Sequence, residues 1–172
     1  MKNLLLKGLM HRPLTEAAPT DPGLETLGES LRNETRRALG RSLALRMVDA
    51  GSCNACELEI QATGNPYYDM DRFGLHFVAS PRHADVLLVT GPVTRNMAIA
   101  LSRTYESMPN PKWVVAAGDC AVDGGCFAGS YAVLGGVHKV LPVDVNIPGC
   151  PPTPEDLIKG LLTLMARAGT RR

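Results

Sequence analysis

Two unbroken apolar runs dominate the hydrophobic pattern of the chain, Val86-Leu87-Leu88-Val89-Thr90 and Trp113-Val114-Val115-Ala116-Ala117. Continuous runs of this length, without alternation, predict parallel strands covered on both faces. Shorter runs at 43–48, 75–78 and 140–143 predict three further strands, with Pro142 pointing the last to a sheet edge. Helical spacing separates them. One helix is expected from Cys56 to Ala62, and a second capped by Thr94 and ended by Pro109, with Met97, Leu101 and Tyr105 on one face. The last opens with Thr153 as cap, Pro154 at its first position and Asp156 three residues after the cap, and it buries Leu157, Leu161, Leu164 and Met165. The Gly-rich stretch 119–136 is expected to wrap over a site, with a helical turn at 130–134.

Strands alternating with helices predict an α/β fold of the flavodoxin-like kind: a mostly parallel sheet, helices on both faces, and functional loops at the carboxyl ends of the strands. Residues 1–40 read as a separate arm and 41–172 as the folded domain. In the arm, Pro13, Pro19, Pro22 and Gly23 divide two amphipathic pieces. The first carries Leu5, Leu6 and Leu9 among basic residues, a pattern suited to docking on a membrane or a neighbouring subunit. The second places Leu24, Leu27, Leu31 and Ala38 at helical spacing before Gly40 stops it.

Composition narrows the function classes. With 18 basic and 17 acidic side chains the formal charge is +1, so no field strong enough to recruit nucleic acid arises. Lys7 interrupts the apolar start, Arg36-Arg37 precedes no apolar stretch, and no run approaches the roughly 20 apolar residues of a spanning helix. Five cysteines, an odd number, argue for thiols that are reduced, metal-bound or catalytic rather than for a disulfide framework.

Four of the five sit in marked settings. Cys53 and Cys56 form a close pair after the first strand, Cys120 follows the fourth and Cys150 the fifth, so all can meet at one edge of the domain. Thiolates suit Zn²⁺ or iron–sulfur clusters. Structural zinc sites commonly use two close pairs and this chain has one, while proline after a cysteine, as in Cys150-Pro151, recurs in cluster loops. The balance falls to iron–sulfur; a structural zinc site and unconnected buried thiols stay open.

The motifs also carry a family resemblance. Gly51-Ser52-Cys53-Asn54-Ala55-Cys56-Glu57-Leu58-Glu59-Ile60, Asp71-Arg72-Phe73-Gly74, Ala79-Ser80-Pro81-Arg82-His83-Ala84-Asp85, Thr90-Gly91-Pro92-Val93-Thr94-Arg95, Gly118-Asp119-Cys120 and the run from Val143 to Pro154 resemble the small subunit of group 4 membrane-associated [NiFe] hydrogenases and formate hydrogenlyase. The related 20 kDa subunit of complex I shares most of them. The resemblance implies one [4Fe-4S] cluster on Cys53, Cys56, Cys120 and Cys150, passing electrons to or from a nickel–iron centre in a separate large subunit. It implies further partners, a ferredoxin-like iron–sulfur subunit and integral membrane subunits, and a peripheral place on the cytoplasmic side of the membrane. Complex I subunits carry adjacent cysteines at the first position, whereas Asn54 and Ala55 separate the pair here, which favours hydrogenase over a quinone-reducing role. By the same resemblance Glu59 is a candidate proton relay and Arg82 and His83 face the partner subunit; Cys126 matches no ligand position, and Asp119 reads equally as a turn residue.

Overall fold

The computed structural model describes residues 21–170. The first amphipathic piece of the arm lies outside them. The second forms α1 (Pro22–Leu39), started by Asp21, whose carboxylate accepts from Gly23 N at 2.8 Å and Leu24 N at 3.3 Å, and ended at Gly40. It packs mainly on the C-terminal helix, burying Leu24, Leu31 and Ala38 in the same core as the sheet. Gly28 lets the Phe73 ring come close: a Cβ there would sit 2.5 Å from ring carbons.

The remaining elements alternate as the apolar pattern requires. In order they are β1 (Leu43–Asp49), α2 (Ala55–Ala62), β2 (Leu75–Phe77), β3 (Val86–Thr90), β4 (Val93–Thr94) and α3 (Arg95–Glu106). Then come β5 (Trp113–Ala117), α4 (Asp119–Asp123), β6 (Val133–Gly135), β7 (Val145–Ile147) and α5 (Pro154–Thr170). Five strands form one parallel sheet in the order β2-β1-β3-β5-β7. Counting only these strands, the order is 2-1-3-4-5, the flavodoxin-like winding, with its switch point between the first and third strands. All five residues of β3 are buried, as an unbroken apolar run in a central strand demands.

Side chains leave each strand alternately, so the sheet has two cores. Leu43, Leu45, Val86, Leu88 and Val115 face α1, α2 and α5. Val48, Leu87, Val89, Val114 and Ala116 face α3 and α4 through Leu101 and Ala121. At the start of β3, Asp85 is buried and accepts from Arg41 Nη1 at 2.8 Å, Arg41 Nη2 at 2.6 Å and Ala44 N at 3.0 Å. Its carboxylate thus fixes the entry of β1 against β3. The α5 cap forms as its sequence predicts: Thr153 Oγ1 donates to Asp156 Oδ2 at 2.7 Å, and this bond holds the Asp156 carboxyl below its ordinary range.

Three local expectations need correction. Residues 140–143 are not a strand; the fifth sheet strand is β7, five residues later. Pro142 has no N–H to give a ladder, whereas Asp144 N donates to Val114 O at 2.9 Å and aligns the next three residues with β5. Residues 130–134 form no helical turn, because Val133 and Gly135 pair antiparallel with β4. Thr94 does not cap α3 with its side chain: the hydroxyl donates instead to Ala50 O at 3.0 Å, tying the α3 entry to the turn after β1.

Candidate functional site at the carboxyl edge of the sheet

The turn after β1 is built by Asp49, whose Oδ1 accepts from Gly51 N and Ser52 N, both at 2.7 Å. Ser52 Oγ accepts from Asn54 N at 3.1 Å, and Asn54 takes a left-handed conformation (φ 72°) to open α2. Cys53 is therefore exposed on the turn and Cys56 buried in the first turn of the helix. This loop occupies the switch point of the sheet, where ligands of doubly wound folds bind.

The other two segments are joined to each other through Asp119. Gly149 N donates to Asp119 Oδ1 at 2.8 Å, and Asp119 N donates to Gly149 O at 2.9 Å. This reciprocal pair sets the residue before Cys120 beside the residue before Cys150. Asp119 is more than a turn residue. Asp119→Ala is expected to free the Cys150 loop while Asp119→Asn, which keeps an acceptor oxygen, holds it; amide hydrogen exchange at Gly149 and Cys150 reads the difference, roughly tenfold for a lost bond of about 1.5 kcal/mol.

Close approach of backbone to sulfur completes the cradle. Gly118 has φ +91°, and a Cβ there would meet Cys56 Sγ at 2.6 Å; a Cβ on Gly125 would meet Cys120 Sγ at 2.8 Å. Burial pushes the Cys56 thiol up to about 12, helped by the negative charge of Glu57 and then by Cys120, Cys53 and Cys150. Cys120, Cys53 and Cys150 are thus all near enough to Cys56 to act on it. Burial and the adjoining Cys126 thiol also raise Cys120, against a lowering contribution from the Cys126 backbone N–H. Four sulfur donors, two of them on thiols that burial holds protonated, are a set suited to a soft cation or cluster that stabilises the thiolate form. Among the described residues, no three His, Cys, Asp or Glu side chains close on one point as a single ion requires.

Of the other residues singled out by sequence, Cys126 is exposed, Arg82 and His83 stand exposed on the turn before β3, and Glu59 is half-buried on α2. The buried acid of α2 is instead Glu57, 4% exposed, with neither carboxylate oxygen hydrogen-bonded. Its signal was present in the helix spacing: Glu57 lies three residues before Ile60 and next to Cys56, the other two buried positions of α2.

A parallel five-stranded sheet in this order with helices on both faces, and cysteines on the loops after β1, β5 and β7, defines a class, that of the flavodoxin-like α/β folds. More particularly, the chain belongs to the family described as NADH ubiquinone oxidoreductase, 20 kDa subunit, which matches residues 53–164. It is 54% identical over 113 residues to an NADH-quinone oxidoreductase subunit of Heliobacterium modesticaldum, covering 65% of this chain and 65% of that protein. It is 47% identical over 131 residues to formate hydrogenlyase subunit 7 of Escherichia coli, covering 76% of this chain and 51% of that one. The chain thus spans between about half and two thirds of these relatives' lengths. Among solved structures it resembles a chain of the membrane-bound sulfane sulfur reductase, an archaeal respiratory membrane complex, with 35% identity and a TM-score of 0.68, covering 83% of this chain and 77% of that chain. No helix among the described residues is long and apolar enough to cross a membrane.

Proposed function

We propose that this chain is the electron-transfer small subunit of a membrane-associated [NiFe] hydrogenase complex, an oxidoreductase subunit not catalytic alone. One [4Fe-4S] cluster, held by Cys53, Cys56, Cys120 and Cys150, would supply one-electron transfer next to the nickel–iron site of a large subunit. The observation that carries this is the delivery of those four cysteines to one sheet edge from β1, β5 and β7. A single close cysteine pair, with the other two thiols supplied from separate strand ends, favours a multi-iron group over a structural zinc ion.

The chain's own residues have distinct parts in this reading. Asp49 and Ser52 shape the turn that presents Cys53, Asp119 locks the Cys120 and Cys150 segments together, and Gly118 leaves room for the Cys56 sulfur. The exposed Leu58, Phe127, Tyr131 and Leu134 surround these loops and form apolar ground for the large subunit, which would exclude water from the site. By the resemblance Arg82 and His83, exposed on the turn before β3, are read as facing a partner subunit, and Glu59 as a candidate for moving a proton. The segment before α1 is read as docking on membrane subunits, and a ferredoxin-like iron–sulfur subunit as the next carrier, all on the cytoplasmic side.

A second reading has one specific support. The similarity to an NADH-quinone oxidoreductase subunit suits a cluster that donates to quinone. The two-residue spacing between Cys53 and Cys56 favours the hydrogenase branch of the resemblance. Assay of the purified complex decides: nickel content and hydrogen evolution from a reduced low-potential donor are expected. Absence of nickel with an inhibitor-sensitive quinone reduction would assign the second reading and leave the fold unchanged.

A further inference from the structure

The turn that follows α4 folds back onto the start of that helix. Gly124 N donates to Cys120 O at 3.0 Å, Gly125 N donates to Asp123 Oδ1 at 2.8 Å, and Phe127 N donates to Gly124 O at 3.0 Å. Gly124 and Gly125 take φ of +104° and +49°, a reversal that a side chain at either position would resist. Gly125 is thereby pressed against Cys120: a Cβ on it would lie 2.8 Å from the Cys120 sulfur and 3.1 Å from the Cys120 Cα. The next residue is Cys126. Its thiol adjoins the Cys120 sulfur, and its backbone N–H donates to that same sulfur.

The two thiols differ in access, since Cys126 is exposed and Cys120 only partly so. A small oxidant therefore meets Cys126 first, and Cys120 stands behind it where a second sulfur can displace whatever Cys126 has bonded. The bonds of Asp123 and Gly124 hold the pair together locally, so joining them calls for no movement of the sheet. The other sulfurs of the site are less well placed for Cys120: Cys56 is buried against Gly118, and Cys150 acts on Cys120 more weakly than Cys126 does.

We propose that Cys120 and Cys126 form a thiol–disulfide couple in the chain before any cluster is bound, with Cys126 meeting a small-molecule disulfide of the glutathione class and Cys120 resolving the product. In the first exchange the Cys126 sulfur bonds to one sulfur of the oxidant, whose S–S bond breaks, and one molecule of thiol leaves with the Cys126 proton. In the second the Cys120 sulfur bonds to the Cys126 sulfur, and the remaining thiol leaves with the Cys120 proton. The two cysteines lose two electrons and the oxidant gains them; a dithiol reductant reverses both steps. The consequence for loading rests on the proposed reading of Cys120 as a cluster ligand: the disulfide withholds one of the four donors, and a bound cluster in turn takes the Cys120 sulfur away from Cys126.

The test uses the full-length chain, freed of metal and treated with oxidised glutathione without oxygen. Cleavage before Asp119 and Asp123 puts the two cysteines on separate peptides. Mass spectrometry is expected to find those peptides joined by a disulfide in the unaltered chain. Cys120→Ser is expected to keep one glutathione on Cys126, and Cys126→Ser to leave Cys120 a free thiol. Given iron and sulfide without reductant, the oxidised unaltered chain is expected to take up no more cluster than Cys120→Ser, dithiothreitol to restore its uptake, and treated Cys126→Ser to load as the untreated chain does. Cys120 joined to Cys53, Cys56 or Cys150, a glutathione that stays on Cys126 of the unaltered chain, or equal loss of loading in treated Cys126→Ser would overturn the proposal. A joined pair that loads undiminished would uphold the couple and remove Cys120 from the ligand set, so the two readings fail separately.

Discussion

Serine at Cys120 is expected to remove the iron–sulfur signal of the complex, and serine at Cys53, Cys56 or Cys150 to do the same, while Cys126→Ser leaves it in place. A hydroxyl is a harder and far less acidic donor than a thiol, so one corner of the cluster loses its ligand. Cys126 is the informative control because it is exposed, adjoins Cys120 and belongs to a separate turn, Gly125–Phe127. Iron and sulfide content per chain, with electron paramagnetic resonance of the reduced complex, makes the measurement. Near-complete loss is expected at the four positions and less than a twofold change at Cys126. A cluster that survives Cys120→Ser but disappears with Cys126→Ser would exchange their roles.

The largest effect on stability is expected at Asp85. Asp85→Ala removes the acceptor for two guanidinium N–H groups and the Ala44 N–H at a buried position, whereas Arg41, 58% exposed, regains water when released. The loss is therefore below that of a fully buried ion pair, about 2–3 kcal/mol. For a domain of this size it corresponds to roughly 5–10 °C in Tm. Asp85→Asn, which keeps one acceptor, should lose about half as much. Thermal unfolding followed by circular dichroism at low and high salt checks both; equal losses for Ala and Asn would show that the charge, not the hydrogen-bond geometry, holds β1 to β3.

The strands of the central sheet were legible because buried parallel strands write themselves as unbroken apolar runs, as at 86–90 and 113–117. The same rule misled at 140–143, where Leu141 is buried but in irregular backbone, and missed β7, whose three residues alternate buried, exposed, buried. Short strands carry too little pattern to be distinguished from buried loop. The pairing of β4 with β6 depends on contacts some forty residues apart and on a bulge, neither of which has a local signal. At the site, the positions of Cys53, Cys56 and Cys120 followed from strand–helix alternation, whereas Cys150 follows a strand, Val145–Ile147, that the pattern had put at 140–143. The reciprocal bonds of Asp119 with Gly149 required the chain to be folded, since they depend on what a distant segment places opposite.

The spread of the four cysteines along the chain has a consequence for unfolding. Cys53 and Cys56 lie ahead of the second strand, Cys120 beyond the fourth sheet strand and Cys150 beyond the fifth, so any group bonded to all of them closes two long covalent loops. Loops of this order, from about 30 to 100 residues, restrict the disordered chain by roughly 3–5 kcal/mol each in the chain-entropy account. Such a bound group is then a cross-link holding the first strand, the fifth strand and the start of the last helix in register. Removing such a group with a chelator is expected to raise the protease sensitivity of the loops that carry the cysteines before the central strands open.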